Sequence, residues 1–310
     1  MKVVSFLPAA TKMIYDMGLE DLLYAVTFEC PKEAAALPKV VRYVLEGNTY
    51  TSQEIDQIFS ASKAQGKSMY WVDEEIMESI APDIIFTQDT CEVCLIDTTC
   101  TLASIANLSK QPELVSLSPN TLDDVFECAV TIARALGKEE VAYRYLAGLK
   151  EKKDNIIDQL RAHKAPLKRV MLMEWIQPIY NCGHWIPYQI AIAGGIDMLS
   201  NPAGDSIVNK WEKIRKYNPE VLVIAPCGFD QQRSLEEMYL LASHPGWDEL
   251  EAVKRNAVYI VDFDLFTQPS IGTLIKGVEV LSCIFHPEIF RPDDSLKACF
   301  THYDTKPVRV

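Results

Sequence analysis

The sequence predicts an α/β chain of two Rossmann-like lobes, each built on a parallel sheet, joined by one long interdomain helix. Three observations predict it. Short apolar runs alternate with helical periodicity along both halves of the chain. The segment Ala81-Pro82-Asp83, followed by IIFTQ, has a second copy in Asn218-Pro219-Glu220, followed by VLVIAP. Between the copies, the stretch from Lys138 to about His163 contains no proline and a single glycine.

The elements follow in order. Val3 to Leu7 is an apolar run, Thr11 to Met17 suits a helix, and Leu22 to Thr27 is a second run, which together make a βαβ pattern. A helix over Glu74 to Ile80 then leads through Pro82 into a buried strand at Ile84 to Phe86, and another strand is expected at Leu114 to Leu117. Val141, Tyr145, Leu149, Ile156 and Leu160 recur near helical spacing through the charged LKEKKDN, and Pro166 ends that helix. The second lobe repeats the pattern: KVVSFL and Gly18-Leu19-Glu20 correspond to RVMLM and Gly195-Ile196-Asp197. The expected divisions are residues 1–137 for the N-terminal lobe, 138–165 for the connecting helix and 166–310 for the C-terminal lobe. The tail from Arg291 to Val310 is polar, with no element signal, and suits a strap across the first lobe or a loosely ordered end.

Composition narrows the function. The 310 residues carry 30 Lys+Arg against 43 Asp+Glu, a net charge of −13, which repels nucleic acid over most of the surface. No apolar run approaches the roughly 18 to 20 residues of a membrane span, so direct membrane insertion is not expected. The opening MKVVSFLPAATKMIYDMG meets Pro8 too early for a signal-peptide core, and the 9 cysteines favour a reducing compartment. As it stands the sequence reads as cytoplasmic, or as periplasmic or extracellular if a signal peptide has been removed.

In parallel sheets ligands bind beyond the C-terminal ends of the strands, so the loops there carry the candidate residues. They are Phe28, Glu29 and Cys30; Gln88 and Cys91; Trp175, Tyr180, His184 and Trp185; Cys227 and Phe229; and Phe266, with Tyr70 and Trp71 as a further aromatic pair. Three of the 5 tryptophans, at 71, 175 and 185, fall in such places. Flat apolar rings suit a large flat ligand, although any one of them could simply pack its loop onto the sheet. Cys91-x-x-Cys94 has no second CxxC and lacks a thioredoxin-like setting, which favours free thiols over a zinc or redox site. His184 could bond the backbone, touch a ligand or reach a ligand's own metal. No phosphate loop, dinucleotide fingerprint, nucleophile elbow or HExxH is present, so a receptor fits better than an enzyme.

The residues VVSFLPAAT, APDIIFTQDTCEVC, EWIQPIYNCGHWIP, AGGIDML, NPEVLVIAPCGFD and HPEIF, in that order from Lys2 to about Phe290, carry a resemblance. The chain is similar to the periplasmic cobalamin-binding proteins of ABC importers, within the helical-backbone metal receptor superfamily, in a branch with CxVC and GHW. The resemblance implies non-covalent binding of cobalamin or a related corrinoid in a cleft between the lobes, with no intrinsic cofactor and no protein-bound metal. It places Tyr70 or Trp71, Tyr180, Phe28 to Cys30 and Phe266 near the ligand. It also implies an ABC permease as partner, met by Glu75 in the first lobe and by Asp197 in the second. Ala10 and Lys12 depart from the family's PSAT-acidic opening. The alternatives are a haem or iron-siderophore receptor, or a thiol-dependent corrinoid-processing enzyme using Cys91, Cys94 or Cys227.

Overall fold

The structure, a computed structural model, describes residues 1–47, 49–65, 67–88, 102, 104–106 and 108–305. The chain divides into two compact units. The first holds Met1–Tyr50, Glu54–Gly148 and Ser270–Gly272, and the second Thr51–Gln53, Leu149–Pro269 and Thr273–Val310.

The first unit is built on six strands, β1 (Val3–Ser5), β2 (Leu23–Thr27), β3 (Lys39–Tyr43), β4 (Tyr70–Val72), β5 (Ile84–Thr87) and β6 (Glu113–Ser116), in the order β4-β3-β2-β1-β5-β6. All pairs are parallel except β3 with β4, so the sheet is mixed at one edge. The short apolar runs are strands because both faces are covered: Val4, Ala25, Val41 and Ile85 lie in one core with Phe6, Val40 and Met77. Each fully buried aliphatic side chain of this kind contributes roughly 1.5 to 3 kcal/mol.

Helix α1 (Pro8–Asp16) begins three residues before the expected Thr11, because Pro8 takes the first turn, where its fixed φ is suited and its missing N–H is not needed. Helix α2 is Ser52–Ala64. Helix α3 (Glu74–Ile80) starts on an Asp73 side chain that accepts from Ile76 N and ends at Ala81 in the left-handed region. Helix α4 (Leu122–Ala135) carries a complete capping box between Thr121 and Asp124. The expected long helix is α5 (Glu139–Ala162), and the chain passes from the first unit to the second within it, after Gly148.

The second unit is built on β7 (Lys168–Met173), β9 (Gly195–Ile196), β11 (Val221–Ile224), β12 (Val258–Val261) and β13 (Phe300–His302), in the order β13-β12-β11-β7-β9. Two short strands, β8 (Gly183–His184) and β10 (Asn201–Pro202), pair separately. The helices are α6 (Ile186–Ile192), α7 (Trp211–Tyr217), α8 (Gln231–Ala242), α9 (Glu251–Lys254), α10 (Asp264–Thr267), α11 (Ile271–Phe285) and α12 (Asp294–Lys297). Met171, Leu222, Ile224, Val258 and Ile260 form the core with Trp211 and Trp247.

The tail corrects an expectation. Phe300–His302 joins β12 as an antiparallel edge strand, and Thr305 Oγ1 donates to Val253 O at 2.7 Å, so the described part of the tail belongs to the second unit's sheet and is not a strap on the first. Its polar composition conceals an edge strand because such a strand buries only one face.

Candidate functional site

At the C-terminal end of β2, Phe28 stacks on Tyr43, the last residue of β3, with ring centroids 5.2 Å apart, and on Tyr70 at 6.0 Å. Tyr43 also stacks on Tyr70 at 5.3 Å and on Phe59 at 6.2 Å. Tyr43 and Phe59 were not among the sequence candidates; the signal for Tyr43 was its place at the end of the apolar KVVRY. Strand alternation separates the predicted pair on β4. Tyr70 is buried with the core, whereas Trp71, opposite Arg42, is 51% exposed on the other face. Glu29 is exposed beside Phe28, and Gln88 is buried just beyond β5. The Cys30 sulfur lies 3.6 Å from Thr11 Oγ1, and burial pushes its thiol up to about 11, so it is not a ready thiolate. Cys91 and Cys94 lie outside the described residues.

In the second unit, the loop after β7 is tied to its neighbours. Ser206 Oγ donates to the Glu174 carboxylate, and Cys227 N donates to Glu174 O at 3.0 Å. Trp175 is half-buried, its ring 5.1 Å from that of Phe229, and its indole N–H is buried without an acceptor among the described residues. Tyr180 is half-buried and closes the turn by donating its backbone N–H to Trp175 O at 3.2 Å. Asn181, missed in the sequence, pins this loop by accepting from Ile207 N at 2.6 Å and donating to Leu199 O.

His184 has φ 51°, donates its backbone N–H to Gly204 O at 2.7 Å, and sets Nε2 3.2 Å from Asp205 Oδ1. Burial lowers its pKa, with Asp205 opposing. Cys227 is half-buried in the turn after β11.

Three aromatic candidates in this unit are interior. Phe266 is 0% exposed in α10, and the indole N–H of Trp185, itself buried, donates to Phe266 O at 2.5 Å. Phe229 is also buried. Trp185 and Phe266 therefore lie in the interior of the second unit and not on an open loop. Phe266 lies in helix α10, where Leu265 and Phe266 are both buried.

The docking expectation is also corrected in part. Glu75 is exposed in the first turn of α3. Asp197, only 9% exposed, accepts from Leu172 N at 3.1 Å and Leu199 N at 2.9 Å and is closed to a partner. Setting Ala81-Pro82-Asp83 on Asn218-Pro219-Glu220 carries Glu75 onto Glu212, which is exposed in the first turn of α7. Among the described residues, no group of three or more His, Cys, Asp or Glu side chains could hold a metal ion.

A model of the family described as periplasmic binding protein matches residues 72–265. The uncharacterised ABC transporter substrate-binding lipoprotein YvrC of Bacillus subtilis (strain 168) is 24% identical over 306 residues, covering 94% of this chain and 81% of that protein. A periplasmic haem-binding protein from Pseudomonas aeruginosa superimposes with a TM-score of 0.71 at 16% identity, over 95% of this chain and 96% of the other. The periplasmic vitamin B12 binding protein BtuF of Vibrio cholerae superimposes with a TM-score of 0.63 at 17% identity, over 92% of this chain and 96% of the other. At these identities the structural likeness shows the fold alone.

Proposed function

The chain belongs to the periplasmic binding protein family, and from that premise we propose that it is the substrate-binding subunit of an ABC importer and takes cobalamin or a related corrinoid non-covalently. The observation that carries the ligand class is the company the open aromatic rings keep. Phe28, Trp175 and Tyr180 are half-buried and Trp71 is exposed, the charged neighbours of Phe28 and Trp175 in sequence are the carboxylates Glu29 and Glu174, and Arg42, opposite Trp71, is paired with Glu46 at 2.9 Å. No lysine or arginine occurs at 28–30, 174–180 or 225–230. A corrinoid presents amides around a cationic cobalt centre and tolerates such surroundings. The carboxylates of haem and the anionic siderophores ask for cations, and Arg233 is already engaged with Glu237 at 3.2 Å.

A haem chelate is the second reading, favoured by the fold shared with the haem-binding receptor. The thiol-dependent alternative rests on Cys91 and Cys94, which lie outside the described residues, and on Cys227, half-buried in the turn after β11. Glu75 and Glu212 are the proposed contacts to the permease, and the work is done outside the cytoplasm, as for a lipoprotein relative. Among the described residues, no helix is long and apolar enough to cross a membrane.

The test is titration of the purified protein with aquocobalamin and, in parallel, haemin, followed by visible absorption and tryptophan fluorescence. Saturable one-to-one binding of aquocobalamin is expected. No binding up to about 100 µM, weaker than roughly −5.5 kcal/mol, sinks the corrinoid assignment, and saturable haemin binding instead establishes the second reading.

A further inference from the structure

An ion pair between a half-buried arginine and a buried glutamate stands behind the aromatic face of the second unit. Arg233 is fixed at the start of α8, where its backbone N–H donates to Asp230 Oδ1 at 2.7 Å. Its guanidinium carbon lies 4.8 Å from the centroid of the Phe229 ring, and Nη2 is 3.2 Å from Glu237 Oε1 one turn along the helix. Glu237 is only 5% exposed, and its two carboxylate oxygens lie 3.0 and 3.3 Å from the backbone N–H of Ser52, which belongs to the same unit. Phe229 in turn leans on Trp175 at 5.1 Å with the rings tilted by 54°. The contacts run without a gap from Ser52 through Glu237, Arg233 and Phe229 to Trp175.

An ion pair of this kind adds little stability, because burying Glu237 and partly desolvating Arg233 offsets much of their attraction. What the pair does supply is direction. The guanidinium is planar, and Glu237 holds it over the ring, where a cation is attracted to the π face.

We propose that Arg233 is a positioning residue for the ligand. Held by Glu237, it fixes Phe229 and, through Phe229, the tilt of Trp175, the half-buried ring at the end of β7. The proposal rests on the reading that this aromatic face takes a flat ligand, and it adds that affinity depends on a residue beyond the strand-end loops. A lysine can keep the charge near Glu237 but offers no flat face to Phe229, so it restores the arrangement only in part.

The experiment compares Arg233→Met, Arg233→Lys and Glu237→Gln with the wild-type chain. The near-UV circular dichroism of Trp175, assigned by difference against Trp175→Phe, is read first on the ligand-free protein. It should change in Arg233→Met and Glu237→Gln and return part of the way in Arg233→Lys. Aquocobalamin affinity should fall about tenfold in Arg233→Met, and by much less when the same change is made in a Trp175→Phe background.

An unchanged Trp175 band in folded Arg233→Met, or an equal affinity loss in both backgrounds, overturns the proposal. Should Arg233→Met not fold, Glu237→Gln decides by the same band, since glutamine keeps an acceptor for Ser52 N. A wild-type chain that binds neither aquocobalamin nor haemin overturns the functional reading. The ligand-free band still decides whether Arg233 sets Trp175.

Discussion

Ala81 and Asn218 close α3 and α7 in the same left-handed turn, at φ 50°, ψ 64° and φ 52°, ψ 68°. Each backbone N–H donates at 2.9 Å to the carbonyl four residues back, of Met77 and of Ile214, and both of those side chains are buried. The two units thus repeat a helix, its stop, a Pro-acid step and a buried strand. The stops are not equally suited to their residues. Asparagine tolerates the left-handed region, while alanine is strained there by its Cβ. Ala81→Gly is expected to stabilise the chain by about 1 kcal/mol in denaturant unfolding, and Asn218→Gly to destabilise it by about 0.5 to 1.5 kcal/mol, because it removes the Oδ1 that accepts from Glu251 N at 2.8 Å.

The same repeat pairs the two acids proposed to contact the permease. Glu75 and Glu212 hold equivalent exposed places, with Glu212 among Lys210, Lys213 and Lys216. Glu75→Lys and Glu212→Lys should each cut ligand uptake at least fivefold in cells in which this chain is the sole receptor, while leaving the ligand Kd of the purified protein unchanged. Uptake unaffected by both reversals removes these residues from the permease contact.

Asp197 is expected to write itself into the pH dependence of stability. Burial raises its carboxyl to about 6, against the pull of the Leu172, Leu199 and Ser200 hydrogen bonds. The folded state therefore holds a proton that the unfolded chain releases near the ordinary carboxylate value. Its contribution to stability is full below about pH 4, is lost as the pH rises towards about 6, and is flat above, by on the order of 3 kcal/mol at most. The stability difference between the wild-type chain and Asp197→Asn, measured by urea unfolding from pH 4 to 7, should shift against the wild type over that window. A constant difference counts against the buried proton.

Trp71 and Trp185 look alike in the sequence, since each lies beside an apolar segment, and the structure gives them opposite surroundings. Trp71→Ala should weaken aquocobalamin binding by roughly tenfold with little change in the unfolding midpoint, because about half of the side chain is exposed. Trp185→Phe should leave the Kd within about twofold but lower stability by about 1 to 3 kcal/mol, because it strips the donor from Phe266 O. Equal effects of the two substitutions on affinity would undo the distinction.

That contrast shows where sequence reading stops. The α/β class, the strands around Val4, Ile85 and Leu222 and the helix Glu139–Ala162 were legible because burial on both faces and helical spacing leave periodic signals. A strand-end loop has no such period, so ligand-facing and core-facing rings are written alike. Period-two alternation could have parted Tyr70 from Trp71, but nothing local tells that Trp185 finds its acceptor at Phe266, far along the chain. Asp197 was misplaced for a related reason: an acid after a glycine-rich turn looks exposed until the backbone amides of Leu172 and Leu199 are seen to enclose it. Glu212 is legible in the sequence, since it precedes Pro219 by the same seven residues by which Glu75 precedes Pro82.

Gly183 is expected to be the least replaceable glycine near the candidate site. A Cβ there would stand 2.3 Å from Gly204 O and 2.7 Å from Ser206 N, both backbone atoms that cannot swing aside. The close approach lets β8 pair with β10 and brings Ser206 to Glu174 and Asp205 to His184. Gly183→Ala should cost about 1 to 3 kcal/mol of stability as the 203–206 segment is pushed away, and with it the ligand affinity should fall. Gly148→Ala is the control: it lies within α5, its Cβ would meet nothing within 4 Å, and replacing a helical glycine should gain about 0.5 to 1 kcal/mol with no change in Kd. Thermal unfolding and aquocobalamin titration of the two variants separate a glycine required by a close backbone contact from one that the helix merely tolerates. Gly183→Ala folding and binding as the wild type would mean that the β8 and β10 pairing does not hold the site.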